Sequence, residues 1–223
     1  MERIDDLGIN GLKLIQDTDL FCFGTDSVLL TDFVRVKSGA RVVDLCSGNG
    51  IIPVLLSAKT KASEITGVEI LKPSYELAVR NAEINGLSDR VRFINADLKN
   101  WNEYFPSGYA DVVTCNPPYM KVGAGFKNPD DYKAAARHEV YAGFEDIVCC
   151  ASKLMKFGGY FFAVHRADRL CDVLCLMRKY RIEPKRLAFV SPNPDRAPNL
   201  ILVEGMLGAA PSLKLESTVY ANI

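Results

Sequence analysis

Val42-Val43-Asp44-Leu45-Cys46-Ser47-Gly48-Asn49-Gly50 is the stretch whose reading decides the fold. An apolar run enters a turn with two glycines, and Ile51-Ile52-Pro53-Val54-Leu55-Leu56 leaves it. A buried strand, a glycine turn and an apolar helix, in that order, open a parallel α/β sheet. Glycine lets the backbone turn sharply and approach a ligand with no side chain in the way. The turn therefore points to a nucleotide-like cofactor. Two glycines are common in such turns, so the reading depends on what surrounds them.

Outward from this unit, strand and helix patterns alternate. Asn10-Gly11 between apolar runs predicts a hairpin at the amino end, and Thr25 predicts a helix cap with the helix running to about Arg35. Further strands are expected at 41–45, 64–69, 91–95, 110–115 and 160–164. Helices are expected over 50–59, from Pro73 to Asn85-Gly86, over 143–156 and over 168–180. Residues 182–190 and 200–206 read as a closing antiparallel pair. This is an α/β, doubly wound, Rossmann-like pattern: one domain over 1–223, a mostly parallel seven-stranded sheet with an antiparallel edge, and helices on both faces. The hairpin and helix of residues 1–35 are expected to cover the cofactor site.

With 223 residues, the chain is long enough to bury a core without metals or disulfide staples. Seven cysteines include no Cys-x-x-Cys pair and accompany only two histidines, so no metal site or disulfide framework is expected. Nothing near the amino end resembles a signal peptide, and no apolar run approaches bilayer length, which points to a cytoplasmic chain without membrane contact. Net charge is zero, but it is unevenly spread. Residues 1–30 hold six acids against two bases, and residues 151–196 hold ten bases against four acids. The second block suits phosphate contacts, although such blocks are commonly solvated helix and strand ends.

Acidic residues at the strand ends sharpen the cofactor reading. Asp44 can fix the turn or bridge through water to a bound amino-acid group. Glu69 ends the second strand of the parallel set, where a carboxylate can accept from both ribose hydroxyls. Asp97 follows the third and can accept from an adenine amino group, or else cap a helix. The third glycine of the dinucleotide fingerprint is replaced by Pro53. S-adenosylmethionine (SAM) has no pyrophosphate and does not need that glycine, so SAM is favoured over a nicotinamide cofactor.

Asn116-Pro117-Pro118-Tyr119 follows the 110–115 strand. An exocyclic aromatic amine is a poor nucleophile because its lone pair is delocalised into the ring. The Asn116 side-chain oxygen and the Pro117 carbonyl can accept from both of its N–H groups. The prolines hold that backbone ready, and Tyr119 can stack on a base. The expected chemistry is methyl transfer from SAM to a flat amino group.

With these residues in view, the chain resembles the class I SAM-dependent amino-methyltransferases. More narrowly, it resembles the bacterial tRNA(Val) adenine-N6 methyltransferases. The narrower likeness rests on Phe23-Gly24-Thr25-Asp26-Ser27-Val28-Leu29-Leu30, on Asn128-Pro129 with Ala136-Arg137-His138-Glu139, and on the region from Pro192–Glu204 to Tyr220. The resemblance implies a class I methyltransferase fold and a target adenosine beside a tRNA anticodon. It implies that Phe23, Gly24, Thr25, Asp26, Asp44, Cys46, Gly48, Gly50, Glu69, Asp97 and Asn116 hold SAM, and that Asn116, Pro117, Pro118 and Tyr119 are catalytic. Tyr119, Lys121, Lys127, Arg137 and His138 would contact the substrate. The expected partner is RNA. Other planar amines or amides (guanine N2, a protein glutamine, a small molecule) and a non-catalytic RNA-binding module remain alternatives.

Overall fold

The computed structural model describes residues 1–20, 22–118 and 142–221. A hairpin of β1 (Glu2–Asp6) and β2 (Lys13–Asp17) comes first. It turns through Asn10 and Gly11, at φ 50° and 70°, as the Asn-Gly pair predicts. Then follow α1 (Thr25–Phe33), β3 (Arg41–Leu45), α2 (Ile51–Lys59), β4 (Glu64–Glu69), α3 (Lys72–Ile84), β5 (Val91–Asn95) and β6 (Ala110–Cys115). The described chain resumes before α4 (Phe144–Leu154) and continues through β7 (Met155–Arg166), α5 (Leu170–Lys179), β8 (Ile182–Ser191) and β9 (Leu200–Leu207). Two short strands, β10 (Lys214–Leu215) and β11 (Val219–Tyr220), end it.

The main sheet runs β5-β4-β3-β6-β7-β9-β8, with β10 and β11 both added to the outer edge of β8. Strands β5 to β7 are mutually parallel, and β9 lies antiparallel between β7 and β8. The seven expected strands are all present. The two short edge strands have no counterpart in the sequence reading, since two residues are too few for any periodicity. Gly24, not Thr25, holds the cap position of α1. The helix expected over 143–156 stops at Leu154, and Met155 already pairs with Ala110 as the start of β7.

Side chains alternate across the sheet and fill two cores. Val43, Leu45, Val113, Cys115 and Phe161 face α4 and α5. Val42, Val112 and Phe162 face α1 and α2. Each fully buried large side chain contributes about 1.5–3 kcal/mol, so the period-two pattern fixes which way each strand faces. Cys115 and Cys150 are buried in the first core, whereas Cys171 and Cys175 are exposed.

The hairpin docks on α3 through two asparagines. Asn81 Oδ1 accepts from Ile15 N at 2.6 Å, and its Nδ2 donates to Ile15 O at 3.0 Å. Asn85 repeats the pattern on Lys13, at 2.8 and 2.7 Å. The spacings match: four residues of helix rise about 6 Å and two residues of strand about 6.7 Å. The two amides thus act as a surrogate strand for the open edge of β2. Asn81 Nδ2 also donates to Asn49 O at 2.9 Å, which ties hairpin and glycine turn together. Asn81 is fully buried, so Asn81→Ala leaves buried backbone groups without partners and should cost about 2–4 kcal/mol. Asn85→Ala, at a part-exposed position, should cost less than about 1 kcal/mol. Urea unfolding of both variants checks this, and similar small losses would refute the proposed tether.

Candidate active site

The chain adds β4 and β5 on one side of β3 and then returns to place β6 on the other. The strand order therefore reverses between β3 and β6. In open α/β sheets ligands bind in the crevice beyond the carboxyl ends of the strands at such a point. Leu45 and Cys115 are register partners at those ends. The glycine turn leaves one strand and Asn116-Pro117-Pro118 leaves the other. Residues read from sequence as cofactor-holding and as reactive are thus neighbours in space.

The turn is built from left-handed residues: Cys46 at φ 59°, Gly48 at 55° and Gly50 at 83°. A Cβ on Gly50 would lie 2.6 Å from the Phe93 ring and 3.1 Å from Ala78 Cβ. Close packing of α2 on β5 and α3 therefore requires glycine there. A Cβ on Gly48 would meet nothing within 4 Å, so that side of the turn is open. Gly48 N donates to Glu69 Oε2 and Leu71 N to Glu69 Oε1, both at 2.8 Å. Glu69 is buried, and burial pushes its pKa up while the backbone N–H groups oppose the shift. Asn95 Nδ2 donates to the carbonyls of Glu69 and Ile70, at 2.8 and 3.0 Å, and so fixes the end of β4.

Asp44 is fully buried. Its Oδ1 accepts from Thr114 Oγ1 at 2.6 Å across the β3–β6 pair, and its Oδ2 has no hydrogen-bond partner among the described residues. Burial pushes its pKa up to about 7, against the opposing bond from Thr114 and a pull from the Ser47 hydroxyl, which donates to the Asp44 backbone carbonyl at 3.0 Å. Asn49 Nδ2, in the same turn, is another buried polar atom without a partner among the described residues. An orphaned acceptor and an orphaned donor beside an open glycine turn are what a bound zwitterion would satisfy.

Asn116 is half-buried, and its Nδ2 donates to Ser27 Oγ at 2.8 Å. Ser27 N in turn donates to Asp26 Oδ1 at 2.8 Å. A Cβ on Gly24 would come within 2.8 Å of the same oxygen, so glycine lets Asp26 fold back. Phe23 N donates to the buried Gln16 Oε1 at 3.1 Å. The segment from Phe23 to Asp26, with Thr25 opening α1, is therefore anchored at one end to the hairpin and at the other to Asn116.

Asp97 follows β5, and its carboxylate accepts from Lys99 N at 2.9 Å, capping the short 3₁₀ turn Leu98–Glu103. The cap foreseen as one of its two roles is present. Tyr119, Lys121, Lys127, Arg137 and His138 lie outside the described residues. The basic block of 151–196 is largely neutralised. Lys156 pairs with Asp111, Arg166 with Asp168, Arg169 with Asp172, Arg178 with Glu183, Lys179 with Glu145, and Arg186 with Glu204 and Glu216. Sequence reasoning assigned no part to Gln16, Asn49, Asn81 or Asn95, and took Ser27 only as one letter of a motif. A polar residue at a core-facing position was the sole signal that Asn81 offered.

Comparison with known proteins agrees with this geometry. A family model described as the methyltransferase small domain matches residues 21–172. A tRNA1(Val) (adenine(37)-N6)-methyltransferase of Erwinia tasmaniensis is 31% identical over 183 residues, covering 81% of this chain and 73% of the relative. A protein of the same name from Porphyromonas gingivalis is 28% identical over 187 residues, covering 81% and 72%. Among solved structures, a predicted O-methyltransferase from Agrobacterium tumefaciens superposes with a TM-score of 0.71 at 22% identity, covering 87% of this chain and 86% of that one. Geranyl diphosphate C-methyltransferase from Streptomyces coelicolor gives 0.62 at 13% identity, covering 82% and 79%. These two similarities establish the class I methyltransferase fold. The family match spans the glycine turn, Glu69 and Asn116 together, so the chain belongs to the methyltransferase small-domain family and is a methyltransferase.

Proposed function

We propose that this enzyme moves a methyl group from SAM to the exocyclic N6 of an adenine in structured RNA, an anticodon-loop adenosine of a tRNA, in the cytoplasm. The observation that supports it most is Asn116 at the carboxyl end of β6, its amide held by Ser27, beside the glycine turn. The names of the relatives supply the adenine and the tRNA. No described helix is long and apolar enough to cross a membrane.

The open Gly48 side, the Asp44 Oδ2 acceptor and the Glu69 carboxylate fit SAM, with Cys46, Gly50, Asp97 and residues 23–26 around them. When bound, SAM supplies an electrophilic methyl on a sulfonium. Asp44 receives the ammonium of the amino-acid part, directly or through water. Glu69 keeps lone pairs for the ribose hydroxyls even while it accepts from Gly48 and Leu71. Residues 1–35 cover this pocket.

Asn116 Nδ2 donates to Ser27 Oγ, and its Oδ1 accepts from one amine N–H of the base. The Pro117 carbonyl takes the other. Both acceptors favour a pyramidal nitrogen with its lone pair aimed at the methyl, and alignment does the rest. Tyr119 stacks on the base, and Lys121, Lys127, Arg137 and His138 hold the RNA around it. The N-methylated amine loses its proton to water, so no histidine base is required.

Labelled SAM, RNA from cells lacking this gene and digestion to nucleosides test the reading. Labelled N6-methyladenosine confined to tRNA is expected. Label in another nucleoside would move the target, and no label in RNA with SAM still bound would turn the search to protein or small-molecule amines. In the same assay Asn116→Ala should lower kcat by about 10²–10³-fold with SAM affinity nearly unchanged, whereas Glu69→Ala should weaken SAM binding first.

Ser27→Ala should lower kcat roughly tenfold through misorientation of the Asn116 amide, and Ser27→Thr should restore most of it. A Ser27→Ala enzyme with normal kcat would remove Ser27 from the account.

The raised pKa of Asp44 sets a pH dependence. The free protein holds Asp44 partly protonated near pH 7, and a cationic ligand favours the ionised form. SAM binding should therefore release protons, and affinity should rise from pH 6 towards pH 7.5. Without ligand the sign reverses for stability: the contribution of neutral Asp44 is complete below the unfolded value of 3.8 and is lost as pH rises through about 7. Calorimetry in buffers of different ionisation heat reads the release, and Asp44→Asn should abolish it.

A further inference from the structure

A second cavity lies at the other end of the sheet from the glycine turn. It has a volume of about 560 Å³ and is walled by the loop of residues 35–40, by Asp111, by Lys156 to Tyr160, and by Phe162 and Glu204. The loop precedes β3 and the glycine turn follows it, so a whole strand separates the two sites. The volume falls within the usual range for small-molecule sites, roughly 300–1,000 Å³.

Three features give this cavity a chemical character. The first is a bulge. The β6–β7 register passes from Ala110 opposite Met155 to Val112 opposite Tyr160, so Asp111 alone stands against Lys156-Phe157-Gly158-Gly159. Gly158 lies at φ 78°, and a Cβ on Gly159 would come within 2.8 Å of Lys156 O. The two glycines thus permit a bulge that pushes Phe157 into solvent at the rim. Phe157 is 79% exposed, with one part of its ring against Gly208. Bulges of this kind re-aim side chains beside functional sites.

The second feature is charge. Both acids of the cavity wall are engaged. Asp111 pairs with Lys156 at 2.5 Å and accepts from Arg41 N at 2.8 Å. Glu204 pairs with Arg186 in a nearly buried bridge. The Arg35 and Lys37 side chains, on the loop wall, make no hydrogen bond or ion pair among the described residues. The unbalanced charge at the mouth is positive. The third feature is aromatic: the part-buried Tyr160 lines the cavity, its ring 6.3 Å and 27° from that of the buried Phe162.

We infer that this cavity binds a nucleotide phosphate, with the base against Phe157 and the phosphate between Arg35 and Lys37. Arginine and lysine are the usual partners of phosphate, and an exposed aromatic ring stacks on any base without regard to sequence. The ligand is either a free mononucleotide or one nucleotide of an RNA strand. The inference does not rest on the methyl-transfer reading: Arg35, the last residue of the segment over the cofactor site, lies past the end of α1 in the loop before β3, at the opposite end of that strand from the glycine turn.

The test titrates AMP into full-length protein saturated with S-adenosylhomocysteine, so that the cofactor crevice is filled. One AMP per chain is expected, with adenosine at least about tenfold weaker. Arg35→Ala/Lys37→Ala and Phe157→Ser should each weaken AMP about tenfold or more, the size of one or two lost charge-assisted or stacking contacts. All these side chains are exposed, and S-adenosylhomocysteine affinity should be unchanged in the variants, which checks the fold. Displacement of a labelled single-stranded RNA by AMP would assign the site to an RNA strand; RNA binding indifferent to AMP would assign it to a free nucleotide. AMP binding that disappears with S-adenosylhomocysteine present, or that survives both variants, would overturn the inference, as would no binding at all.

Discussion

Val42–Leu45 of β3 lie hydrogen-bonded beside Val112–Cys115 of β6, and the carboxyl end of the sheet depends on that register. The pairing sets Asp44 against Thr114 and brings the glycine turn alongside Asn116. A slip of one residue would send each side chain of β6 to the opposite face. Val113 and Cys115 would then leave one core and Val112 the other, and Asp44 would lose its only described donor from β6. The apolar alternation of two strands therefore enforces the geometry of a polar site. Parallel strands this close also need a long crossover, which the β4, α3 and β5 segment supplies.

Around that pair, buried polar side chains tie separate segments into one frame. Asn81 joins β2 to the glycine turn, Gln16 joins β2 to Phe23, and Ser27 joins α1 to Asn116. Each bond is worth little net, but a broken one leaves a buried group without a partner. The hairpin is thus positioned by hydrogen bonds of defined direction as well as by apolar contact. Asp44 Oδ2 and Asn49 Nδ2 stand apart from this frame, as buried atoms without a hydrogen-bond partner among the described residues.

Charge follows a different logic from the one its distribution in sequence suggests. Of the bases in 151–196, three pair with acids of the same block and three with acids from distant segments, as with Lys179 and Glu145, or Lys156 and Asp111. Exposed pairs of this kind add little stability, yet they remove the free charge that a polyanion would meet. Arg35 and Lys37 belong to a segment whose charge count draws no attention, and they are the cations left without acids at a cavity mouth. Counts along the chain report composition; pairing across it sets the field.

Much of the fold and part of the site were legible in the residues. Alternating apolar runs located the seven main strands, because burial on a sheet imposes period two within a few neighbours. Asn10-Gly11, Gly48 and Gly50 announced their turns, because a positive φ restricts residue choice at a single position. Asp44, Glu69 and Asn116 were readable as a set because strand ends are where this architecture collects ligand groups. Only the tertiary structure could disclose the bonds of Ser27, Gln16 and Asn81, the edge strands β10 and β11, the β7 bulge and the neutralised basic block. Each joins residues far apart in the chain, and no local pattern encodes a partner 89 residues away, as Ser27 is from Asn116. The sequence by itself determined which residues face inward and where the backbone turns. The folded chain decided which of those residues meet, since long-range pairing is settled by packing and register rather than by local preference.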